Sequence, residues 1–448
     1  MPDSRTERSW DEADLIARLC RALEIAHHSV TLLAADGYTS ADANARSLRG
    51  EKVVSETGVL LLAADPVTRR SDDVRQRFHE LVRVLAPYAR GERVRARICM
   101  EPSLALDHAA AHLCLSRLGF PDPDLDRLLR ESLQAESACS KERHPHRQLE
   151  QEWLMRVWSV LPTRAREDPY LPKRSALGRS MDLLSAAKAD MYAFTHAIMY
   201  VTDLGTRRAR LPRSSRAIAA DADVALASCL AEPDYDIAGE VLLTWPMLGR
   251  RWSASAAVGF AVLASVEDRA GLLPRSGIPL GPLPSADGEE QSRYAIASAY
   301  HTAYVMGLLC AAALGPGCAP PARLAPAPRR AHGAANELMA LAADLSPEAH
   351  WYKYVNELPP VTRDSAAELI LHICLCQAAL RRDLGTIVTA LRVAERYGLL
   401  DTPACLQAAE LLRRTATFAA LPQPKLIVVP DGREAAAQGT AARAECPP

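Results

Sequence analysis

Apolar residues recur along the chain at three- and four-residue steps, the spacing of one helix face. Segments that alternate apolar and polar residues are nearly missing. The best strand candidate, LIVVP at Leu426–Pro430, is short. Ala, Leu, Arg and Glu fill the recurring pattern, and these residues lose least on entering a helix. The pattern predicts helices over 10–35, 39–64, 71–90, 104–119, 124–136, 147–160, 181–204, 216–230, 236–248, 253–269, 291–314, 332–345, 363–380, 383–397 and 403–416. An all-α fold follows.

Three stretches repeat one local design: LCLSRLGFPDPDLDRLLRESL from Leu113, CLAEPDYDIAGEVLLTW from Cys229 and CLCQAALRRDLGTIVTALRVA from Cys374. Each reads as a small-residue helix, a tight turn, and an Asp opening a second helix. Asp124, Asp236 and Asp383 are expected to cap those second helices and to favour the positive end of the dipole. Such hairpins cannot bury their apolar faces alone and therefore stack. Their irregular spacing argues against an open solenoid and for an α/α array or a toroid.

Two Pro-rich breaks interrupt the pattern. Gly271–Gly288 holds four prolines and predicts an exposed loop, and Gly315–Arg330 (GPGCAPPARLAPAPRR) reads as a Pro/Ala linker. The expected organisation is an N-terminal helical region, 1–139, and a central region, 140–314. A linker follows at 315–331, then a C-terminal helical region at 332–428 and a tail at 429–448 expected to be disordered.

Composition narrows the class of partner. With 53 Lys+Arg against 54 Asp+Glu, the 448-residue chain offers no electrostatic reason to bind nucleic acid or an acidic membrane surface. The polar N-terminus lacks a secretory signal. The longest nearly apolar runs, such as Ala254–Ala264, fall short of the about 20 residues a bilayer requires. Eleven scattered cysteines without a CxxC pair, most in apolar stretches, point to free thiols and a cytoplasmic protein.

No Walker loop, strand-borne GxGxxG, HExxH or GxSxG motif is present, nor a kinase motif set, which removes the common ATPase, dehydrogenase and hydrolase readings. The chemistry concentrates in the central region, where 13 of the 23 aromatic residues lie between Trp153 and Tyr304. Core packing accounts for part of that density, and the wall of a ligand cavity accounts for it equally. Within DMYAFTHAIMYVTD (Asp190–Asp203), helical steps put Tyr192, His196, Met199 and Asp203 on one face. His196 and Asp203 are about 10 Å apart by helix rise, so Asp203 is expected to orient a ligand or meet substrate instead of sharing an ion. In SAYHTAYVMGLLCAA (Ser298–Ala312), His301 and Tyr304 lie nearly on one face of an apolar helix, and a buried imidazole requires a partner. The pattern therefore predicts His196 and His301 facing one another across a helical interior. Glu240 is the carboxylate that would complete a site for a divalent metal of the non-haem iron type. Tyr192, Trp245 and Tyr304 would line its pocket. The blander reading has the same groups satisfying one another inside a core.

Other clusters carry weaker signals. His108 and His112 have the spacing of two zinc ligands but lack a Glu between them and a third ligand nearby. His144 and His146, with Glu150 and Glu152 close in sequence, fit a solvated connection, and Asp122, Asp124 and Asp126 fit helix capping. The run PDYDIAGE (Pro233–Glu240) loosely resembles the diphosphate-binding acidic motif of class I terpenoid synthases. It departs from Asp-Asp-x-x-Asp, and the Asp-x-Asp-Asp of class II enzymes is also missing, since Val224 follows Asp221 and Asp223.

The segments YAFTHAIMYVTD, AGEVLLTWPML and YHTAYVMGLL, within 140–314, resemble an uncharacterised family of all-helical proteins from high-GC bacteria. That resemblance implies a functional centre in the central region, in specialised metabolism, and transfers no activity. Two classes of function stand open. One is a metal-dependent enzyme acting on a small molecule or peptide in a helical cavity, with His196, His301 and Asp203 as the catalytic groups. The other is a non-catalytic helical binding or scaffold protein; a terpenoid-cyclase-like enzyme ranks behind both.

Overall fold

A computed structural model describes residues 10–33, 49–158, 168–185, 187–275, 288–321 and 323–420. The strand candidate at Leu426–Pro430, the tail from 429, residues 39–48 of one expected helix and 276–287 of the expected loop lie outside them. The fold is all-α, with no β-strand among the described residues.

The three expected hairpins form, but two are capped two residues earlier than the sequence pattern places them. Asp122 accepts from the Leu125 backbone N–H at 3.0 Å and is followed by Pro123, whose fixed φ suits the first helical position. Asp234 accepts from the Ile237 N–H at 3.3 Å, and only Asp383 caps where expected, accepting from the Thr386 N–H at 3.0 Å. The cause lies in the turns. The N–H of Asp234 closes back on the Cys229 carbonyl and that of Asp383 on the Ala378 carbonyl, so the residue that closes the turn also starts the next helix. Asp124 is thus left on the surface with Arg127, while Asp236 turns inward.

The helix Gly288–Ala313 runs through the core. Glu12–Thr31 and Gly50–Thr68 pack along it and Tyr235–Leu242 packs across it. Two glycines permit these close approaches. A Cβ on Gly307 would stand 2.6 Å from the Ala22 Cβ, and one on Gly239 would stand 2.7 Å from the Val305 Cγ1. The buried Arg18 ties the first helix to Ala254–Ala270 through Glu267 and Asp268, its guanidinium 5.5 Å from the Trp10 ring. One stretch, Ile296–Ala313, is longer than the expected runs and apolar enough to cross a membrane by composition, yet 78% of it is buried inside the protein.

Residues 1–409 form one compact unit and 410–448 a second, short one. The expected boundaries at 140 and 314 both fall inside the first. Ser215–Ala231 packs against Ala367–Leu380, and the Gln377 side chain donates to the Ala231 carbonyl at 3.1 Å. The Pro/Ala segment is pinned to the body, since the Trp252 indole N–H donates to the Cys318 carbonyl at 2.7 Å and the Ser365 hydroxyl donates to the Ala325 carbonyl. Several helices differ in extent. The expected 181–204 helix is Lys188–Val201, 236–248 divides into Tyr235–Leu242 and Thr244–Met247, and Glu92–Met100 and His350–Glu357 are additional. All ten described cysteines are free.

Candidate metal centre

The helix Tyr235–Leu242 places Asp236 and Glu240 one turn apart on the face turned towards Gly288–Ala313. The glycine between them, Gly239, lets that face sit directly on Val305, one turn beyond His301. One donor atom each from Asp236, Glu240 and His301 therefore lies within 4.8 Å of the other two. His301 Nε2 stands 3.2 Å from Asp236 Oδ1 and 3.9 Å from Glu240 Oε1. From the helix Lys188–Val201, His196 Nε2 reaches the same Glu240 oxygen at 3.5 Å. Ligand bonds of 2.0–2.2 Å in a tetrahedral site put donor atoms about 3.4 Å apart, and the observed separations bracket that value.

A layer of polar groups holds these donors. The Tyr192 hydroxyl donates to Asp236 Oδ2 at 2.6 Å, and the Thr195 hydroxyl donates to Glu240 Oε2 at 2.6 Å. His301 Nδ1 meets Glu56 Oε2 at 2.8 Å, and Lys52 pairs with Glu56 at 3.2 Å. With Nδ1–H donating to Glu56, the Nε2 lone pair faces the carboxylates. Asp236 Oδ1 is buried and has no hydrogen-bond partner, as is His196 Nδ1.

The titration behaviour follows from this crowding. Burial lifts the Asp236 pKa above the usual carboxylate range, with His301 opposing and Glu240 adding to the rise. Burial acts in the same direction on Glu240, but His196, His301 and the Thr195 hydroxyl outweigh it, and its pKa falls. His196 and His301 are pulled down by burial and lifted further by their acidic neighbours, Glu240 for the first and Glu56 with Asp236 for the second; both end above an ordinary histidine. The carboxylate side chains are almost completely enclosed, whereas both imidazoles remain 22% exposed, so the cluster opens on its histidine side.

The expected residues divide. His196, His301, Glu240 and Tyr192 are brought together. Asp203 is not: the helix ends at Val201, and Asp203, at φ 51°, accepts from the Trp153 indole N–H at 2.8 Å and from the Thr206 hydroxyl. Trp245 stacks on Trp252 in the core, and Tyr304 shares a hydrogen bond with Thr57 at 3.1 Å. Both side chains are buried, and Tyr304 packs edge-on against Tyr300. Asp236 is the candidate donor that sequence reasoning passed over, because the capping role explained it. Glu56 gave no local signal, standing 245 residues from His301.

The weaker clusters resolve into paired groups. His108 meets Glu101 at 2.9 Å, and the buried His112 meets Asp126, which also accepts from the Trp158 indole N–H. Asp234 is committed to its cap and to Lys188 at 2.5 Å, so of the acidic run only Asp236 and Glu240 face the cluster. In the charged segment, His144 is exposed and His146 half-buried; the His146 ring lies 6.3 Å from that of His196, and burial, with Arg147 and His196 nearby, pushes its pKa down to about 4.

Residues 19–311 match the model of a family described as a domain of unknown function, DUF6895, a span that takes in Glu56 as well as the central region. No curated protein and no solved structure matches the chain.

Proposed function

We propose that this chain, which belongs to the DUF6895 family, is a divalent-metal-dependent enzyme acting on a small molecule or peptide. Asp236, Glu240 and His301 are the ligands and His196 is the fourth. The observation that carries this reading is the convergence of three donors from two helices on a point where Asp236 Oδ1 is buried and accepts no hydrogen bond, its ionic neighbour being the fellow donor His301. An enclosed carboxylate oxygen without a hydrogen bond is costly, and a cation offsets that cost directly. Mixed imidazole and carboxylate donors suit Zn²⁺, Fe²⁺ or Mn²⁺.

Such an ion would polarise a substrate oxygen or lower the pKa of a bound water. The protein's own groups prepare the rest. Tyr192 and Thr195 fix the carboxylate rotamers, Glu56 fixes the His301 tautomer, and the opening beside the imidazoles gives substrate its approach. Free thiols support a cytoplasmic setting, where they stay reduced.

The second reading, a helical binding protein without a metal, is favoured by one observation. Each imidazole already has a carboxylate beside it, His196 with Glu240 and His301 with Glu56, and such pairs can neutralise one another. Metal content by plasma mass spectrometry, after loading with Zn²⁺, Mn²⁺ or Fe²⁺ and desalting, separates the two. About one ion per chain, lost in Asp236→Asn/Glu240→Gln and in His301→Ala while the folded helical signal persists, supports the enzyme. A folded wild type that retains no ion after loading overturns it.

A further inference from the structure

A cavity of about 1090 Å³ lies at the other end of the helices that carry His196 and His301. Its floor includes Leu308, seven residues beyond His301 and therefore about 10 Å further along the helix axis. It is a separate place in the fold. The floor is apolar and buried, built from Val67, Met247, Leu308, Ala311 and Leu314. The charged groups of the lining are turned back on the protein. Arg70 donates to the Leu314 carbonyl at 2.6 Å and pairs with Glu12, and Asp203 accepts from Trp153 and Thr206. Arg117 and Arg207 are engaged as well. Asp65 and Arg208, also in the lining, carry one charge of each sign. An ionic head group entering here would give up its hydration without meeting a cluster of uncommitted counter-charges, which is costly.

One wall is a turn in a conformation that L residues rarely adopt. Asp203, Leu204 and Gly205 follow one another at φ 51°, 54° and 86°, and bonds from the Leu204 N–H to the Met199 carbonyl and from the Arg207 N–H to the Thr202 carbonyl, both 2.9 Å, hold them there. Gly205 seats on Met247, where a Cβ would stand 3.2 Å from the Met247 Cα. The turn thus closes one side of the cavity with Leu204. Strained backbone of this kind gathers at ligand clamps. The wall also offers a neutral polar handle. The half-buried Ser215 hydroxyl accepts from Arg250 at 3.0 Å, and it keeps its own O–H to donate.

We propose that this cavity binds a neutral aliphatic molecule with an oxygen at one end, of the class of a long-chain alcohol. The chain lies on the apolar floor, and its oxygen accepts from the Ser215 hydroxyl. An apolar wall with a few placed polar groups is the usual make-up of a small-molecule site, and the volume is at the upper end of that range. The proposal does not depend on the metal centre.

The test is calorimetric titration of the full-length protein with hexanol, octanol, decanol, decanoate and decyltrimethylammonium, each below its solubility or micelle limit. Affinity should rise about fourfold per added CH₂ along the alcohols, and decanol should bind about tenfold or more tightly than either charged decyl compound. Ser215→Ala should weaken decanol by about three- to tenfold, the loss of one hydrogen bond. Arg208→Glu should leave decanol affinity unchanged, because no charge selects the ligand. Ala63→Trp and Ala312→Trp each place a large ring in the cavity from a different helix, and whichever of them retains the wild-type helical signal should lose binding. Asp236→Asn should bind decanol like the wild type, so the metal reading and this one fail separately. No decanol binding, decanoate or the cationic amphiphile binding as tightly as decanol, or full decanol affinity in a folded Trp variant overturns the proposal.

Discussion

Replacing Gly239 with Ala tests how the carboxylates reach His301. The added Cβ would lie 2.7 Å from the Val305 Cγ1, whereas carbon contacts settle at about 3.5–4.0 Å, an overlap of about 1 Å. Val305 is β-branched, buried and set in a helix, so its side chain has one strongly preferred rotamer and little room to swing. The helix Tyr235–Leu242 must therefore back away by roughly 0.5–1 Å. Overpacking of this size costs about 1–3 kcal/mol, while Ala regains about 0.5–1 kcal/mol of helix propensity. Net stability should fall by no more than about 2.5 kcal/mol. Metal binding should suffer more, because Asp236 and Glu240 flank the moved residue and a site tolerates about 0.5 Å of displacement. A 10- to 100-fold loss of metal affinity, read by competition with a chromophoric chelator, should accompany a small shift in the melting temperature of the metal-free protein. Gly259→Ala is the control, since its Cβ would meet the Leu226 Cδ2 at the same 2.7 Å without touching the cluster. It should change stability and leave affinity alone. A Gly239→Ala protein that is more stable and binds metal with undiminished affinity would refute the close-approach reasoning.

Two further perturbations reach other parts of the molecule. Glu56→Gln should keep one ion per chain at saturation and lower its affinity about 10- to 100-fold, because the charge that fixes the His301 ring is lost; unchanged affinity by the same competition assay would remove Glu56 from the site. His372 is wholly buried with no protein partner at either ring nitrogen, and burial pushes its pKa from 6.5 to about 3. The unfolded chain takes up this proton below about pH 6.5 and the folded chain resists it, so stability is lost as pH falls towards 3, by about 5 kcal/mol in total. His372→Leu should flatten urea-unfolding stability between pH 7 and pH 4 and be at least as stable as the wild type at pH 7.5; parallel pH curves for the two proteins would contradict this.

The helices and their pairing were legible because burial of one face imposes a period on the sequence. Helix ends were less so. The step from Cys229 to Asp234 is set by how the turn closes, and both Asp234 and Asp236 are chemically able to cap. Assigning the cap to Asp236 concealed its place in the donor cluster. The same logic extended the helix of His196 as far as Asp203, although the chain leaves helical geometry at Thr202 and enters the left-handed region. The two histidines could be found because an imidazole stands out within an apolar helix. Trp245 and Tyr304 lie on apolar helices too, but their rings serve packing, which local sequence does not distinguish from lining a site. Glu56 belongs to a charged N-terminal segment whose proximity to His301 exists only after folding. His146 likewise acquires its neighbour His196 through tertiary packing.

The most direct test of the metal centre is an anomalous-difference map from crystals grown with Zn²⁺ or Mn²⁺. One peak within about 2.0–2.3 Å of His301 Nε2 and of an oxygen from each of Asp236 and Glu240 is the predicted result. A crystal saturated with either ion that shows no peak there, with His301 still against Asp236 and any bound ion elsewhere, would contradict it.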